Sequence, residues 1–308
     1  MNGQLVPWES ATTHVFAHAL HYGTSVFEGI RCYETKHGGK TGRAIFRLES
    51  HIRRLVDSAK IYRFPMPHSH DEIKQACHDV IQDNDLSKAY IRPLIFRGVG
   101  PLGVVPSDEV ATDVMVAAIE WGAYLGDDGI KNGIDCCVSS WHRLSSASNP
   151  VLSKAGGHYL NSQLIAMDAK RNGYTEALVV NANGMIAEGS AENIFLIRDN
   201  VIYTPPISAG ILGGITRESI IMLAESLGHE VQEKMLPRDL LYIADEIFLT
   251  GTAAEVTPVR SVDKLAVGEG KPGPITKSIQ DAFFGLFTGS TEDQWGWLDH
   301  VTEGAATT

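Results

Sequence analysis

In the first 120 residues, segments whose apolar residues have the spacing of a helix alternate with segments whose apolar residues have the spacing of a strand. Ser69 and Glu72 form a capping box, and the apolar residues that follow are spaced three and four apart, so a helix is predicted to start after Ser69. A second helix is predicted to start at Ser50, because Ile52 and Leu55 would share its buried face. Both helices are therefore expected to cover one side of a core.

Beyond residue 130 the pattern changes to short runs of β-branched and aromatic residues separated by turn residues. Four such runs, at 177–180, 185–188, 193–198 and 201–204, predict the strands of an antiparallel meander, with turns at 181–184 and 199–200. Helices are predicted at about 157–172 and at 216–227, because each periodic run stops at a glycine. A buried strand is predicted at 246–250.

The length and composition allow about two domains, since 308 residues with 44% hydrophobic content can bury a large core. Glycine and aspartate cluster at 122–129, between the two patterns. We therefore predict an N-terminal domain at 1–122, an interdomain loop at 123–130 and a C-terminal domain at 131–308.

The formal net charge of −11 argues against nucleic acid and anionic membrane surfaces as partners. The four cysteines show no zinc or disulfide spacing and are expected to be reduced and mostly buried. No basic segment followed by an apolar run begins the sequence, and no stretch approaches about eighteen uninterrupted apolar residues. We expect a cytoplasmic protein that binds neither nucleic acid nor a membrane.

Two motif-like patterns have simpler explanations. The segment 98–103 matches G-x-G-x-x-G, but Val104 and the residues after it stand where a dinucleotide-binding motif needs a helix. His14, His18 and His21 could share a helical face as metal ligands, yet no carboxylate-rich segment accompanies them. We therefore expect structural histidines, no bound metal and no dinucleotide.

Lys154 is a candidate reactive amine, although any one of twelve lysines is most often a solvated surface cation. The segment that follows, Ala155-Gly156-Gly157, would let a planar ligand approach the backbone. Tyr159 could donate a hydrogen bond to an oxyanion on that ligand. These neighbours favour a functional lysine.

Carboxylates and anion-binding turns add to this hypothesis. Glu188 or Glu192, if buried, could keep a pyridine nitrogen protonated; the alternative is an exposed turn carboxylate. Thr216 is expected to cap the N-terminus of a helix, where free backbone N–H groups favour a phosphate. With Arg54 and the turn at 251–254, this helix start could form one phosphate site.

Six segments, in matching order and spacing over nearly the whole chain, resemble the branched-chain amino acid aminotransferases of the fold-type IV pyridoxal-phosphate group, in their bacterial biosynthetic form. The segments are H-Y-G-T-S-V-F-E-G-I-R (21–31), Y-I-R-P-L (90–94), K-A-G-G-H-Y-L (154–160), E-G-S-A-E-N-I-F (188–195), G-I-T-R (214–217) and G-T-A-A-E-V-T-P (251–258). The resemblance implies an α+β fold of two domains, with a small N-terminal α/β domain and a larger C-terminal β-rich pseudo-barrel domain.

The resemblance also assigns residue roles by matching positions. It implies that pyridoxal 5'-phosphate is bound as an imine on Lys154, whose freed amine is the catalytic base. The other cofactor-binding residues that it implies are Arg54, Tyr159, Glu188, Ile215, Thr216 and Thr252. The substrate-binding residues that it implies are Phe27, Tyr90, Arg92, Trp121, Tyr159, Thr252, Ala253 and Ala254, with Tyr22 and Val104 supplied by the neighbouring subunit.

The implied activity is reversible ping-pong transfer of an amino group between L-leucine, L-isoleucine or L-valine and 2-oxoglutarate. A homodimer is implied at minimum, with a homohexamer built as a trimer of dimers as the alternative.

A D-amino acid aminotransferase and an aminodeoxychorismate lyase are disfavoured by F-E-G-I-R and Y-I-R-P. A non-catalytic pyridoxal-phosphate-binding protein is disfavoured by the intact set Lys154, Tyr159 and Glu188. The sequence does not rank the three substrates, because one methylene is worth only about 1–3 kcal/mol.

Overall fold

The structure is a computed structural model that describes residues 1–37, 39–122 and 126–301. Its helices are α1 (His18–Tyr22), α2 (Leu48–Ile61), α3 (His70–Asp83), α4 (Gly126–Asn132), α5 (Tyr159–Arg171), α6 (Ile215–Ser226), α7 (Leu240–Ile243) and α8 (Pro274–Thr288). Its strands are β1 (Ser25–Phe27), β2 (Ile30–His37), β3 (Lys40–Phe46), β4 (Ala89–Arg97), β5 (Thr112–Glu120), β6 (Ile134–Val138), β7 (Glu176–Val180), β8 (Ile186–Gly189), β9 (Asn193–Arg198), β10 (Val201–Thr204), β11 (Val231–Glu233), β12 (Glu246–Gly251), β13 (Glu255–Val262), β14 (Leu265–Ala266) and β15 (Leu298–His300). Short 3-10 helices lie at Trp8–Ser10, Gly156–His158 and Ile207–Ala209.

Packing divides the described residues into two units, and each is considered by itself. Unit 1 comprises Met1–Trp121, Ser153–Tyr159 and the described part of Asp293–Thr308, and unit 2 comprises the described parts of Gly122–Leu152 and Leu160–Glu292. The domain bounds 1–122 and 131–308 stay a prediction. The packing differs from them in one respect that matters for function, because it assigns Lys154 and its neighbours to unit 1.

Unit 1 is built on an antiparallel sheet. Its six strands within the described residues lie in the order β1-β4-β2-β3-β15, with β5 paired to β4. Ile52 and Leu55 of α2 and Ile73 of α3 are buried in its core, as their spacing predicted. The capping box of Ser69 is confirmed at the start of α3. The other predicted helix begins at Leu48, two residues before the predicted start.

Unit 2 is built on a larger, mixed sheet. Among its described residues nine strands are joined in the order β11-β10-β9-β12-β13-β6-β7-β8, with β14 paired to β13. The strands predicted between 176 and 204 are present as β7 to β10, and the antiparallel pairs β7–β8 and β9–β10 are confirmed. A single meander is wrong, because β12, β13 and β6 lie between β9 and β7 in the sheet. The turn between β9 and β10 places Asp199 and Asn200 at positive φ angles of 52° and 64°. The buried strand predicted at 246–250 is β12, and every residue from Glu246 to Thr250 is buried. The contents of the two units confirm an α+β fold.

The predicted interdomain loop is wrong for residues 126–130, which form most of α4. A tertiary contact stabilises this turn of helix in spite of its glycines, because Gln280 Nε2 donates to Ile130 O at 2.9 Å. Gly133, with a φ of 81°, follows the helix. Residues 123–125, also placed in that loop, lie outside the described residues.

The cysteines and histidines have structural contacts. All four cysteines are buried, and burial raises the pKa of Cys32 to about 12 and that of Cys137 to about 11. His18 Nε2 contacts Pro101 O at 2.8 Å, and His21 Nε2 contacts Val15 O at 2.9 Å. In the described part of the chain no cluster of three metal-ligating side chains is found, and none of its helices has the length and apolar character needed to cross a bilayer.

Candidate active site

The backbone of Lys154 is fixed between a helix and a strand of unit 1. Lys154 N donates to Ser58 Oγ of α2 at 3.1 Å, and Phe27 N of β1 donates to Lys154 O at 3.0 Å. Ala155 forms a bridge with Val26, which continues this attachment to β1. Ser58 is 1% exposed, so its hydroxyl is a buried anchor. The lysine therefore extends from a rigid backbone, unlike a surface cation.

The side chain of Lys154 meets the tyrosine that sequence reasoning paired with it. Lys154 Nζ donates to Tyr159 Oη at 2.7 Å, and the ammonium lies 5.2 Å from the centroid of the Phe27 ring. Gly156 allows the close approach of this segment to β1, because a Cβ there would overlap Ser25 Oγ. The amine is thus positioned by an aromatic ring and a phenol hydroxyl.

Five residues expected to bind substrate from unit 1 form an aromatic cluster with one guanidinium. The rings of Phe27 and Tyr159 meet edge to face at 4.7 Å, and those of Tyr90 and Trp121 lie 5.3 Å apart. Arg92 lies over Phe27 at 4.6 Å, and its Nη2 donates to Tyr90 Oη at 3.0 Å. This group offers an apolar wall that includes the Arg92 guanidinium.

Two residues that sequence reasoning did not single out support this cluster. Gly29 leaves space for the Tyr90 hydroxyl, which a Cβ at position 29 would overlap. Arg31 Nη1 donates to Trp121 O at 3.4 Å and so helps to place that residue. The F-E-G-I-R segment was the available signal, since it contains both positions.

Arg54 is held by a buried network that sequence reasoning missed. Its Nε donates to Glu28 Oε1 at 2.6 Å and its Nη2 to Glu28 Oε2 at 2.8 Å, while His51 Nδ1 lies 2.7 Å from Glu28 Oε2. Burial alone would raise the pKa of Glu28, but Arg54 and His51 together hold it well below its usual range. Burial lowers the pKa of His51 in spite of Glu28. The orientation of Arg54 is therefore fixed within unit 1.

Tyr22 and Val104, expected to serve a neighbouring subunit, lie on an exposed apolar surface of unit 1. Tyr22 is 41% exposed and Val104 is 88% exposed. We call this the α1–loop surface; its other exposed apolar residues are Val15, Phe16, Leu20, Val99, Leu102 and Val105. The loop at 98–105 is not followed by a helix, as expected for a segment that is no dinucleotide motif.

Glu188 and Glu192, between which the residues alone did not decide, are both buried in unit 2. Glu188 lies on β8, where its Oε2 accepts from Asn193 Nδ2 at 3.1 Å and from Leu212 N at 3.2 Å. Arg143 Nε lies 2.5 Å from Glu188 Oε1. Glu192 Oε2 accepts from Ala191 N at 3.1 Å, within its own turn. The exposed-carboxylate alternative is wrong for both.

The two predicted anion-binding turns are present in unit 2, with one correction. Ile215 and Thr216 lie in the first turn of α6, but the N-cap is Gly214 and not Thr216. A Cβ at Gly214 would overlap Asn193 Oδ1, so a glycine fits the extended residue that precedes the helix. Thr252, Ala253 and Ala254 form the turn between β12 and β13. Binding of an anion at either turn stays a prediction.

Known proteins are similar to this one over most of the chain. The model of the family described as amino-transferase class IV matches residues 25–262. The chain is 56% identical over 302 residues to the branched-chain-amino-acid aminotransferase of Escherichia coli strain K12, over 98% of this chain and 96% of that protein. It is 46% identical over 296 residues to the enzyme of the same name from Pseudomonas aeruginosa strain PAO1, over 96% and 94%.

Solved structures show the same relationship. The crystal structure of the Escherichia coli branched-chain amino acid aminotransferase matches with a TM-score of 0.95 at 56% identity, over 98% of each chain. The branched-chain amino acid aminotransferase from Thermobaculum terrenum, solved in its PLP form, matches with a TM-score of 0.89 at 37% identity, over 98% of this chain and 97% of that chain. The chain therefore belongs to the class IV aminotransferases and, within them, to the branched-chain aminotransferases.

Proposed function

We propose that this protein catalyses the reversible transfer of an amino group between L-leucine, L-isoleucine or L-valine and 2-oxoglutarate, with pyridoxal 5'-phosphate as cofactor. The observation that carries the proposal is the rigidly anchored amine of Lys154, 2.7 Å from Tyr159 Oη and against the Phe27 ring. The names of the relatives, which include an enzyme solved in its PLP form, support it.

The residues present fit this cofactor. Lys154 is the proposed attachment point, Tyr159 would bind the ring oxygen and Arg54 the phosphate. From unit 2, Glu188 offers a buried carboxylate for the ring nitrogen. The remaining proposed phosphate-binding residues are Ile215, Thr216 and Thr252. Each of these groups has the charge or the donor that its part of the cofactor requires.

When bound, the cofactor would supply an electron sink for the electron pair that the substrate Cα–H bond releases. Lys154 Nζ would take the proton from Cα, hold it for return, and reverse this role in the other half-reaction. The Tyr159 hydroxyl orients that amine through their hydrogen bond. The rings of Phe27 and Trp121 exclude water and accept an aliphatic side chain.

One pocket must accept both an aliphatic side chain and the distal carboxylate of glutamate. Arg92 provides a cation for that carboxylate, so that the charge is paired when it leaves water. When an aliphatic substrate binds, Arg92 still donates to the Tyr90 hydroxyl and lies over the Phe27 ring. The proposed contacts of the α-carboxylate are Tyr90 and the turn of Thr252, Ala253 and Ala254.

The proposal also includes a cytoplasmic homodimer in which Tyr22 and Val104 complete the partner's pocket. The exposed apolar residues of the α1–loop surface support it, since exposed apolar surface commonly marks interfaces. A Val104→Asp variant should dissociate towards monomers in sedimentation experiments. A wild-type monomer at micromolar concentration would overturn the dimer, and a six-subunit mass would favour the trimer of dimers.

The activity is tested by adding single amino acids to the loaded enzyme and following the conversion of the cofactor from aldehyde to amine by absorbance. L-leucine, L-isoleucine, L-valine and L-glutamate should each convert it, whereas D-alanine should not. No response to the branched L-amino acids, or a faster response to D-alanine, would overturn the proposed function.

A further inference from the structure

Arg143 is a buried cation beside Glu188 in unit 2 that no sequence pattern singled out. Its backbone N donates to Val180 O at 3.0 Å, which fixes it next to β7. Its Nε lies 2.5 Å from Glu188 Oε1, and the side chains of Arg143 and Glu188 are only 8% and 5% exposed. Two opposite charges are therefore held in contact away from water.

The surroundings of Glu188 determine whether it carries a charge. Burial by itself favours the neutral form of a carboxyl group, while an adjacent cation and hydrogen-bond donors favour the ionised form. Asn193 Nδ2 and Leu212 N donate to Oε2, but both are uncharged donors. The guanidinium of Arg143, which is always protonated in proteins, supplies the full positive charge at Oε1.

We propose that Arg143 keeps the proton on the ring nitrogen of the cofactor by keeping Glu188 ionised. This inference rests on the proposed function, in which Glu188 pairs with that nitrogen. A proton between a carboxylate and a pyridine nitrogen stays on the nitrogen when the carboxylate is the weaker base. Without the cation, the proton moves from the ring nitrogen to a Glu188 oxygen, which leaves a neutral pyridine and a neutral acid.

The geometry indicates that Arg143 acts through its charge. Among the described residues no acceptor is aligned with the Nε–H of Arg143, although Glu188 Oε1 is 2.5 Å away. A cation of another shape should therefore replace it, whereas an uncharged side chain of similar length should not. If Arg143 only filled space, all three variants would behave alike, because methionine and glutamine fill that space as well as lysine does.

The test uses loaded enzyme carrying pyridoxal 5'-phosphate labelled with ¹⁵N in the ring, because the nitrogen resonance differs between protonated and unprotonated pyridine. Arg143→Met and Arg143→Gln remove the charge, and Arg143→Lys is the matched variant that retains it. Glu188→Gln tests the proposed role of Glu188 itself. Thermal unfolding of each variant separates loss of structure from loss of the proton.

The wild type and Arg143→Lys should show a protonated nitrogen, and both uncharged variants should shift towards the unprotonated resonance. A protonated nitrogen in a folded, loaded Arg143→Met or Arg143→Gln would overturn the inference. So would an Arg143→Lys variant that behaves like the uncharged ones. If only the lysine variant holds cofactor, Arg143 is required for cofactor binding, and its role in placing the ring proton is overturned. A nitrogen that stays protonated in Glu188→Gln would instead overturn the role of Glu188 in the proposed function.

Discussion

Replacing Glu28 by glutamine should destabilise unit 1 much more than a typical surface change. Glu28 is fully buried, and it is paired with Arg54 at 2.6 Å and with His51 at 2.7 Å. Removing one partner of a buried ion pair leaves the other charge uncompensated, which costs roughly 3–5 kcal/mol. The Arg54 side chain is 15% exposed, so water reaches part of it and we expect a loss of about 3 kcal/mol.

The assay is urea unfolding of Glu28→Gln, the wild type and a matched control, Glu49→Gln. Glu49 lies on α2 and pairs with Lys74 at 2.8 Å, but its side chain is 65% exposed. Exposed pairs of this kind contribute at most about 1 kcal/mol, so the control should stay close to the wild type. A loss of unfolding free energy in Glu28→Gln no larger than in Glu49→Gln would show that the buried pair of Glu28 and Arg54 does not stabilise the protein.

The effect of Glu28 should also depend on pH in a defined direction. Arg54 and His51 hold the pKa of Glu28 below its ordinary value of 4.5 in spite of its burial, so the folded state binds the proton less readily than the unfolded state. The stabilisation is therefore complete above about pH 5 and is lost progressively as the pH falls below 4.5. The difference between wild type and Glu28→Gln should shrink between about pH 5 and pH 3. A difference that grows on acidification would contradict the assignment.

Three further predictions concern the site in unit 1. Lys154→Ala should lower kcat by roughly 10²-fold or more, which is the scale of a lost general base. The control Lys170→Ala, at an exposed position, should match the wild type. Normal turnover of Lys154→Ala would exclude Lys154 as the base. Arg92→Leu should lower kcat/KM for L-glutamate by about 100-fold, which is the scale of a lost charge-assisted hydrogen bond, and should change kcat/KM for L-leucine by less than about 5-fold. Equal losses for the two substrates in steady-state assays would show that Arg92 is not specific to the distal carboxylate. Gly29→Ala should raise KM for both substrates, because the new methyl group overlaps the Tyr90 hydroxyl, and unchanged KM values would show that Tyr90 can move without cost.

Local patterns predicted the elements of this fold well, because the signals that mark them lie within one turn or one strand. Ser69 and Glu72 form their capping box at the start of α3, where the sequence predicted it. The strands at 193–198 and 201–204 begin and end at the predicted residues, since the asparagine at position 200 and its aspartate neighbour adopt the positive φ angles of a tight turn.

Features that depend on distant residues were missed or predicted wrongly. The contact of Glu28 with Arg54 joins residues 26 positions apart, and neither periodicity nor capping reports on such a pair. The contact of Arg143 with Glu188 is a similar case. Thr216 was expected to be the N-cap of α6, but the backbone angles of the preceding glycine and its tertiary neighbour determine the start of that helix.

The grouping of residues in the aromatic cluster of unit 1 could be predicted only through the family resemblance. Phe27, Tyr90 and Trp121 come from separate parts of the chain, and their residue types alone are typical of any core. The order and spacing of the six segments indicated their roles. The structure then placed Phe27 against Tyr159, and Tyr90 against Trp121, within one unit.

The attachment of the cofactor to Lys154 can be tested by one chemical experiment. Borohydride reduction of the loaded enzyme fixes the pyridoxyl group to its lysine, and digestion followed by mass spectrometry identifies the labelled peptide. We predict that the label is on Lys154 and that prior incubation with L-leucine, which displaces the lysine, decreases it. A label on any other of the twelve lysines, with Lys154 unmodified, would rule out Lys154 as the attachment point.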